Sequence, residues 1–188
     1  TTRRQRQMCK RDSPDHGQAT KKLAFDDVHR ELWAVTNKQE PTIWMADPDD
    51  GSLIARRNIG DDLRGATRSY PIKDLALDSF GGRLYLAVSD VSGSRVAVYD
   101  RTVSEVDSLL EGREVVSIAW DESTGSLLAL SARTAAGASG EIFVLSRGEE
   151  AGLERIGLGI GSSDRLPAEL AVDETGGLYV AGSRTVWK

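Results

Sequence analysis

The chain is poor in the residues from which cross-linked or metal-built domains are made. Its 188 residues hold one cysteine, Cys9, and two histidines, His16 and His29. A single cysteine excludes an intrachain disulfide and a cysteine zinc cluster, and two histidines argue against a histidine-based metal site. No apolar run approaches the roughly 20 residues that a helix needs to cross a bilayer. The first residues, TTRRQRQMCKRD, contain neither the apolar core of a signal peptide nor an initiating methionine. The expectation is therefore a processed or excised piece with no secretory signal in this stretch, its compartment left open. Helical periodicity is missing too: no segment longer than about ten residues repeats at 3.6.

Charge is unevenly spread. The net charge is −5. Residues 1–22 carry Arg3, Arg4, Arg6, Lys10, Arg11, Lys21 and Lys22 against Asp12 and Asp15, a local +5 that leaves −10 on the remainder. A basic, apolar-poor terminus reads as a solvated, flexible arm, or else as an arm that docks on an acidic partner such as the body of a neighbouring copy. The acidic body would repel phosphates, which argues against nucleic acid as a partner. With 39% hydrophobic and 28% charged residues, the chain as a whole has the composition of a globular protein long enough to bury a core.

What the sequence does hold is a repeat. LAFDDVHRELWAVT (Leu23–Thr36), LALDSFGGRLYLAVS (Leu75–Ser89), IAWDESTGSLLALS (Ile118–Ser131) and LAVDETGGLYVAGS (Leu170–Ser183) share one pattern: an apolar residue, Ala, an apolar residue, Asp, a short turn and an apolar strand. The aspartates Asp26, Asp78, Asp121 and Asp173 recur after 52, 43 and 52 residues. Within each unit, apolar runs of four to eight residues alternate with Gly, Asp and Ser, the pattern of an all-β meander. Unit one reads KKLAFD, ELWAVT, TIWMAD, SLIARRNI; unit two DLALD, RLYLAVS, RVAVYD, VSEVDSLL; unit three VSIAWD, SLLALSA, EIFVLS, GLERIGL.

Four antiparallel strands per 43 to 52 residues is the signature of a β-propeller blade. The constant Ala at 24, 76, 119 and 171 fits an innermost strand where blades converge and a larger side chain would crowd its neighbour. Phe25, Leu77, Trp120 and Val172 are expected to fill the space between sheets. The chain resembles the propeller superfamily that includes NHL, YWTD and regucalcin/gluconolactonase-like repeats. That likeness lies in the Asp closing each inner strand and in LWAVT, LYLAVSD and LYVAGS opening the second. Unit one leans toward the YWTD type, although Trp33-Ala34-Val35-Thr36 departs from that tetrapeptide. A WD-repeat fits less well, because the only Trp-Asp pair, Trp120-Asp121, ends an inner strand. A kelch repeat fits less well too, since Gly81-Gly82 and Gly176-Gly177 precede the second strand.

The expected blades are approximately 23–59, 72–111, 115–157 and 168–188, following the arm at 1–22. The last unit stops after ELAVD, GLYVAGS and TVWK, so about three and a half four-stranded blades are encoded. Propellers close with about four to eight, and exposed sheet edges invite aggregation. Four completions stay open: a longer protein of which this is a piece, a complementing chain with the remaining blades, two copies joined head-to-tail, or an incomplete four-bladed ring.

Four aspartates at one structural position point to turn formation, because an Asp carboxylate bonds backbone N–H groups of its own turn. DPDDGS (Asp47–Ser52) lacks the alternate oxygen ligands and distant Glu of a calcium loop and reads as a hairpin turn. GLGIGSS (Gly157–Ser163) lacks the spacing and following Lys of a phosphate loop. His29 and His16 have no nucleophile at suggestive spacing. The gluconolactonase likeness implies acidic and Asn ligands around a central metal. With only Asn37 and Asn58 in the chain, no matching set is found, and the enzyme activity is not carried over. No cofactor and no metal are expected. The best candidate contacts lie in interblade loops, where propeller ligands generally meet: Asp61, Asp62, Arg64, Arg68 and Tyr70 in one, Asp164 and Arg165 in another. The leading expectation is a non-enzymatic scaffold that binds another protein or completes a larger propeller. The alternatives are part of a propeller enzyme whose catalytic or metal-binding residues lie in another chain or in missing blades, and a small-ligand binding module.

Overall fold

Short apolar runs punctuated by turn residues leave the chain one economical way to pair its backbone groups: neighbouring runs zip into hairpins. The computed structural model describes residues 20–36, 41–60, 63, 72–90, 93–131, 140–147, 149–151, 153–158, 169–182 and 186–187. Among them are fifteen strands and no helix. The first sheet contains β1 (Thr20–Asp26), β2 (Glu31–Thr36), β3 (Thr42–Ala46) and β4 (Leu53–Asn58). The second contains β5 (Ile72–Asp78), β6 (Arg83–Asp90), β7 (Gly93–Tyr99) and β8 (Glu105–Leu109). The third holds β9 (Val115–Asp121), β10 (Ser126–Ser131), β11 (Glu141–Ser146) and β12 (Glu154–Gly157), and the fourth β13 (Glu169–Val172), β14 (Leu178–Ala181) and β15 (Val186–Trp187). Within every sheet the strands lie in chain order and each pair is antiparallel. The units are therefore four successive meanders, three of four strands and one of three among the described residues.

The sheets stack face to face, and each seam has its own apolar core. Trp33, Val35, Ile43 and Met45 of the first sheet meet Leu84, Leu86, Val88 and Tyr99 of the second, with Leu75 and Leu77 packed against them. Tyr85, Ala87, Val96 and Val98, on the opposite face of the second sheet, meet Ile118, Leu127, Ala129 and Phe143 of the third. Leu128, Leu130 and Ile142 then meet Leu170 and Val180 of the fourth. Successive residues of a strand point to opposite faces, so the middle of a strand between two seams is buried on both faces. In β10 all six residues are buried. The inner strands lie side by side, with β1, β5, β9 and β13 neighbours in that order.

One expectation needs correction, at Phe25. The first strand runs from Thr20, and Lys22 ties it to the second sheet through an ion pair with Asp74 (2.9 Å). The remaining arm residues, 1–19, lie outside the described residues. Phe25 does not fill a seam. Leu77, Trp120 and Val172 pack between sheets, but Phe25 is 50% exposed, because its face of β1 has no sheet in front of it among the described residues.

Candidate interaction faces

The loop residues singled out in the sequence, Asp61, Asp62, Arg64, Arg68, Tyr70, Asp164 and Arg165, lie outside the described residues. Leu63, embedded among them, is described: it is buried in the first seam with Ile59, and its N–H donates to the Ile59 carbonyl (3.1 Å).

Each repeated aspartate engages its own turn. Asp26 Oδ1 accepts the His29 N–H (2.9 Å) and Asp78 Oδ1 the Gly81 N–H (2.7 Å). Asp121 Oδ1 accepts the Ser123 N–H (2.9 Å) and its Oδ2 the Thr124 hydroxyl (2.6 Å). Asp173 Oδ1 accepts N–H groups from Thr175 and Gly177, while the Tyr179 hydroxyl donates to its Oδ2 (3.0 Å). Burial raises the Asp121 pKa, yet hydrogen bonds from Thr124 and Ser123 outweigh it and hold the carboxyl below 3.8. For Asp173 the Thr175 hydroxyl, the Gly177 N–H and the Tyr179 hydroxyl act together to lower it strongly. Two glycines follow from this packing. A Cβ on Gly81 would stand 2.1 Å from Asp78 Oδ2, and one on Gly177 would stand 2.4 Å from Asp173 Oδ2. His29 Nδ1 lies 3.0 Å from Asp26 Oδ2, a contact within the same turn. DPDDGS closes the β3–β4 hairpin: the Asp49 N–H donates to Asp47 Oδ1 (2.7 Å) and the Ser52 N–H to Asp50 Oδ1 (2.7 Å).

A polar belt crosses the inner strands. Asp74 Oδ1 pairs with Lys22 of the first sheet. Its Oδ2 accepts the Ser117 hydroxyl (2.5 Å) and the Ile118 N–H (3.1 Å) of the third. Ser117 Oγ in turn accepts the Leu170 N–H of the fourth (3.0 Å). One connected run of contacts thus joins all four sheets. The sequence reading missed it, although a signal was there: Lys22, Asp74, Ser117 and Glu169 each stand two residues before the repeated alanine, polar on a face where apolar residues would otherwise be expected. Further ties run from Arg57 to the Val103 carbonyl (2.9 Å) and from Arg101 to Glu31, both across the first seam. The Leu110 N–H likewise donates to Glu150 across the second.

The two ends of the stack present open faces. Cross-strand partners share a face, so Leu23–Ala34–Trp44–Arg56 and Phe25–Leu32–Ala46–Leu53 form two rows on the outer side of the first sheet. Leu23 is 59% and Leu53 53% exposed, and the Arg56 guanidinium lies over Trp44, 4.3 Å from the ring centre. On the far side of the fourth sheet the rows are Glu169–Ala181–Val186 and Ala171–Tyr179, with Val186 64% exposed. The two faces have different relief. One carries the bulky pair of an inner strand, the other its alanine. Inside the stack these are the two halves of one contact: Ala76 shares a core with Ile118 and Trp120, and Ala119 packs with Leu170 and Val172.

Solved structures share this arrangement. A chain of a nidogen/laminin complex superposes with a TM-score of 0.64 at 20% identity, over 88% of this chain and 57% of that one. The WD40 repeats of RRP9 give 0.63 at 14% identity, over 94% and 49%, and the Neurospora crassa Pan2 WD40 domain 0.61 at 13%, over 87% and 47%. No protein-family model matches the chain, and no curated protein does. WD40-repeat propellers are among these neighbours although the only Trp-Asp pair of this chain ends an inner strand, because blade architecture is shared by repeats whose sequence signatures differ. The likeness supports the propeller and does not single out the NHL or regucalcin type. The chain spans about half the length of these structures. Four stacked meanders with inner strands side by side and this likeness together make the chain a partial ring of β-propeller blades.

Proposed function

We propose that this stretch is a non-enzymatic interaction scaffold whose open sheet faces take up a protein partner or the remaining blades of a larger propeller. One observation carries the reading. Leu23 and Phe25 occupy the positions that Leu75 and Leu77, and Leu170 and Val172, fill inside seams, yet they are half exposed or more. A contiguous exposed apolar face of this kind marks an interaction site. Propellers are suited to the task, and one structural neighbour is part of a nidogen/laminin complex. The loops bearing Asp61, Asp62, Arg64, Arg68, Tyr70, Asp164 and Arg165 belong to the same proposal as contact groups, Arg and Tyr being favoured interface anchors. Kinship to the NHL, YWTD and regucalcin/gluconolactonase-like repeats is part of it too, supported by the aspartate that closes each inner strand.

The test is quantitative affinity capture with the tagged chain and its Phe25→Asp variant, both confirmed folded by circular dichroism. The expected result is a bound protein depleted at least about tenfold by the substitution, the scale of a lost hot spot. Equal recovery with both chains would overturn the reading.

A further inference from the structure

The two open faces are the unused halves of a contact that the chain makes within itself. At the second and third seams the alanine face of one inner strand meets the bulky face of the next. Left over are Ala171 at one end and Leu23 with Phe25 at the other. The polar belt ends in the same complementary way. Asp74 receives a side chain from the position two before the next alanine, Ser117, and the N–H of the residue after it, Ile118. Glu169 is the belt member at the far end, paired through its backbone with Ala181 and exposed. The groups standing where Ser117 and Ile118 stand are, at the other end of the chain, the Lys22 ammonium and the Leu23 N–H. The carboxylate at one end thus matches, at the other, an ammonium whose partner inside the chain is Asp74.

We infer that a second copy of this chain occupies these faces, the fourth sheet of each copy packing on the first sheet of the other to close a two-fold ring. A heterologous contact closes when the rotation per subunit divides the circle. A chain that spans about half of each structural neighbour turns through about half a ring. Two sets of four sheets give eight blades, within the range of about four to eight for propellers. The inference rests on the scaffold reading and goes past it by naming the partner.

Light scattering coupled to size exclusion on the 188-residue chain reads the mass directly. The expected value is twice 20.4 kDa, and a monomer of 20.4 kDa overturns the inference. Phe25→Asp and Ala171→Arg alter exposed positions at opposite ends. Each variant is expected to melt cooperatively and to run as a monomer. Mixed in equal amounts they should form a one-to-one pair, because the intact fourth sheet of the first still fits the intact first sheet of the second. A dimer that survives both substitutions, or a mixture that stays monomeric, overturns the head-to-tail ring. A monomeric wild type that captures another protein through Phe25 overturns the second copy as occupant and leaves the scaffold reading in place.

Discussion

Asp78 holds the Gly81 N–H at 2.7 Å from a position that is 8% exposed, so its carboxylate orders the turn into β6. Asp78→Ala is expected to lower stability by about 1 kcal/mol, the scale of one local hydrogen bond, read from urea unfolding. Loss of binding with unchanged stability would contradict a turn-forming role. Acid should expose the same class of interaction at Asp121. Its pKa lies below the ordinary 3.8 because Thr124 and Ser123 hydrogen bonds outweigh burial. A carboxyl depressed in the native state binds fewer protons there than in the unfolded chain, so its contribution is full above the unfolded value and fades as pH falls through the native one. The stability difference between wild type and Asp121→Asn should therefore be constant above the ordinary 3.8 and shrink as pH falls below it. A difference independent of pH would show that the charged form is not what the turn prefers.

Turns and inner strands respond at the scale of the element. Arg30 and Gly82 sit four residues after their aspartates with φ of 55° and 62°, and Gly125 has φ of 63°. The left-handed conformation costs an L-residue about 1–2 kcal/mol, and glycine adopts it freely. Arg30 pairs with Asp49 only between exposed side chains, a contact of little worth. Arg30→Gly should stabilise by about 0.5–1 kcal/mol after the added unfolded-state freedom is counted, measured as a raised urea midpoint. Ser117→Ala acts on two seams at once. It removes a donor to Asp74 and the acceptor for the Leu170 N–H at a position 1% exposed. The expected loss is about 1–3 kcal/mol, the cost of buried groups left unpaired. Hydrogen exchange of the Leu170 amide should accelerate with it; unchanged protection there would remove Ser117 from the link to the fourth sheet.

Stability across the whole molecule should follow the seams. Leu86 is fully buried in the first seam, so Leu86→Ala should cost about 2–5 kcal/mol. Phe25→Ala, on the open face, should cost less than about 1 kcal/mol in a monomeric chain, since half of the ring already meets solvent. Equal losses at the two sites would mean that Phe25 is covered in solution. That outcome, combined with a mass of two chains, is what the closed ring requires.

The strands, their antiparallel order and the four-fold repeat were legible because period-two alternation and turn residues act locally, through backbone pairing and side-chain direction. The aspartate turns were legible for the same reason, being contacts over two to four residues. The interblade belt was written in the sequence as four polar residues at one repeat position, but its meaning depends on which strands become neighbours, and Asp74 and Ser117 meet across 43 residues. Burial was legible only in part: Leu77, Trp120 and Val172 pack in seams as their repeat position suggests, but Phe25 at the same position does not. LWAV in β2 and LLAL in β10 look alike as sequence, yet β10 is buried throughout and β2 only on alternate positions up to its end. The sequence by itself thus determined which strands form and how each sheet is ordered. Only the tertiary structure decided which faces are covered, because covering a face needs a second sheet, and the residues of one strand do not say whether that sheet is there.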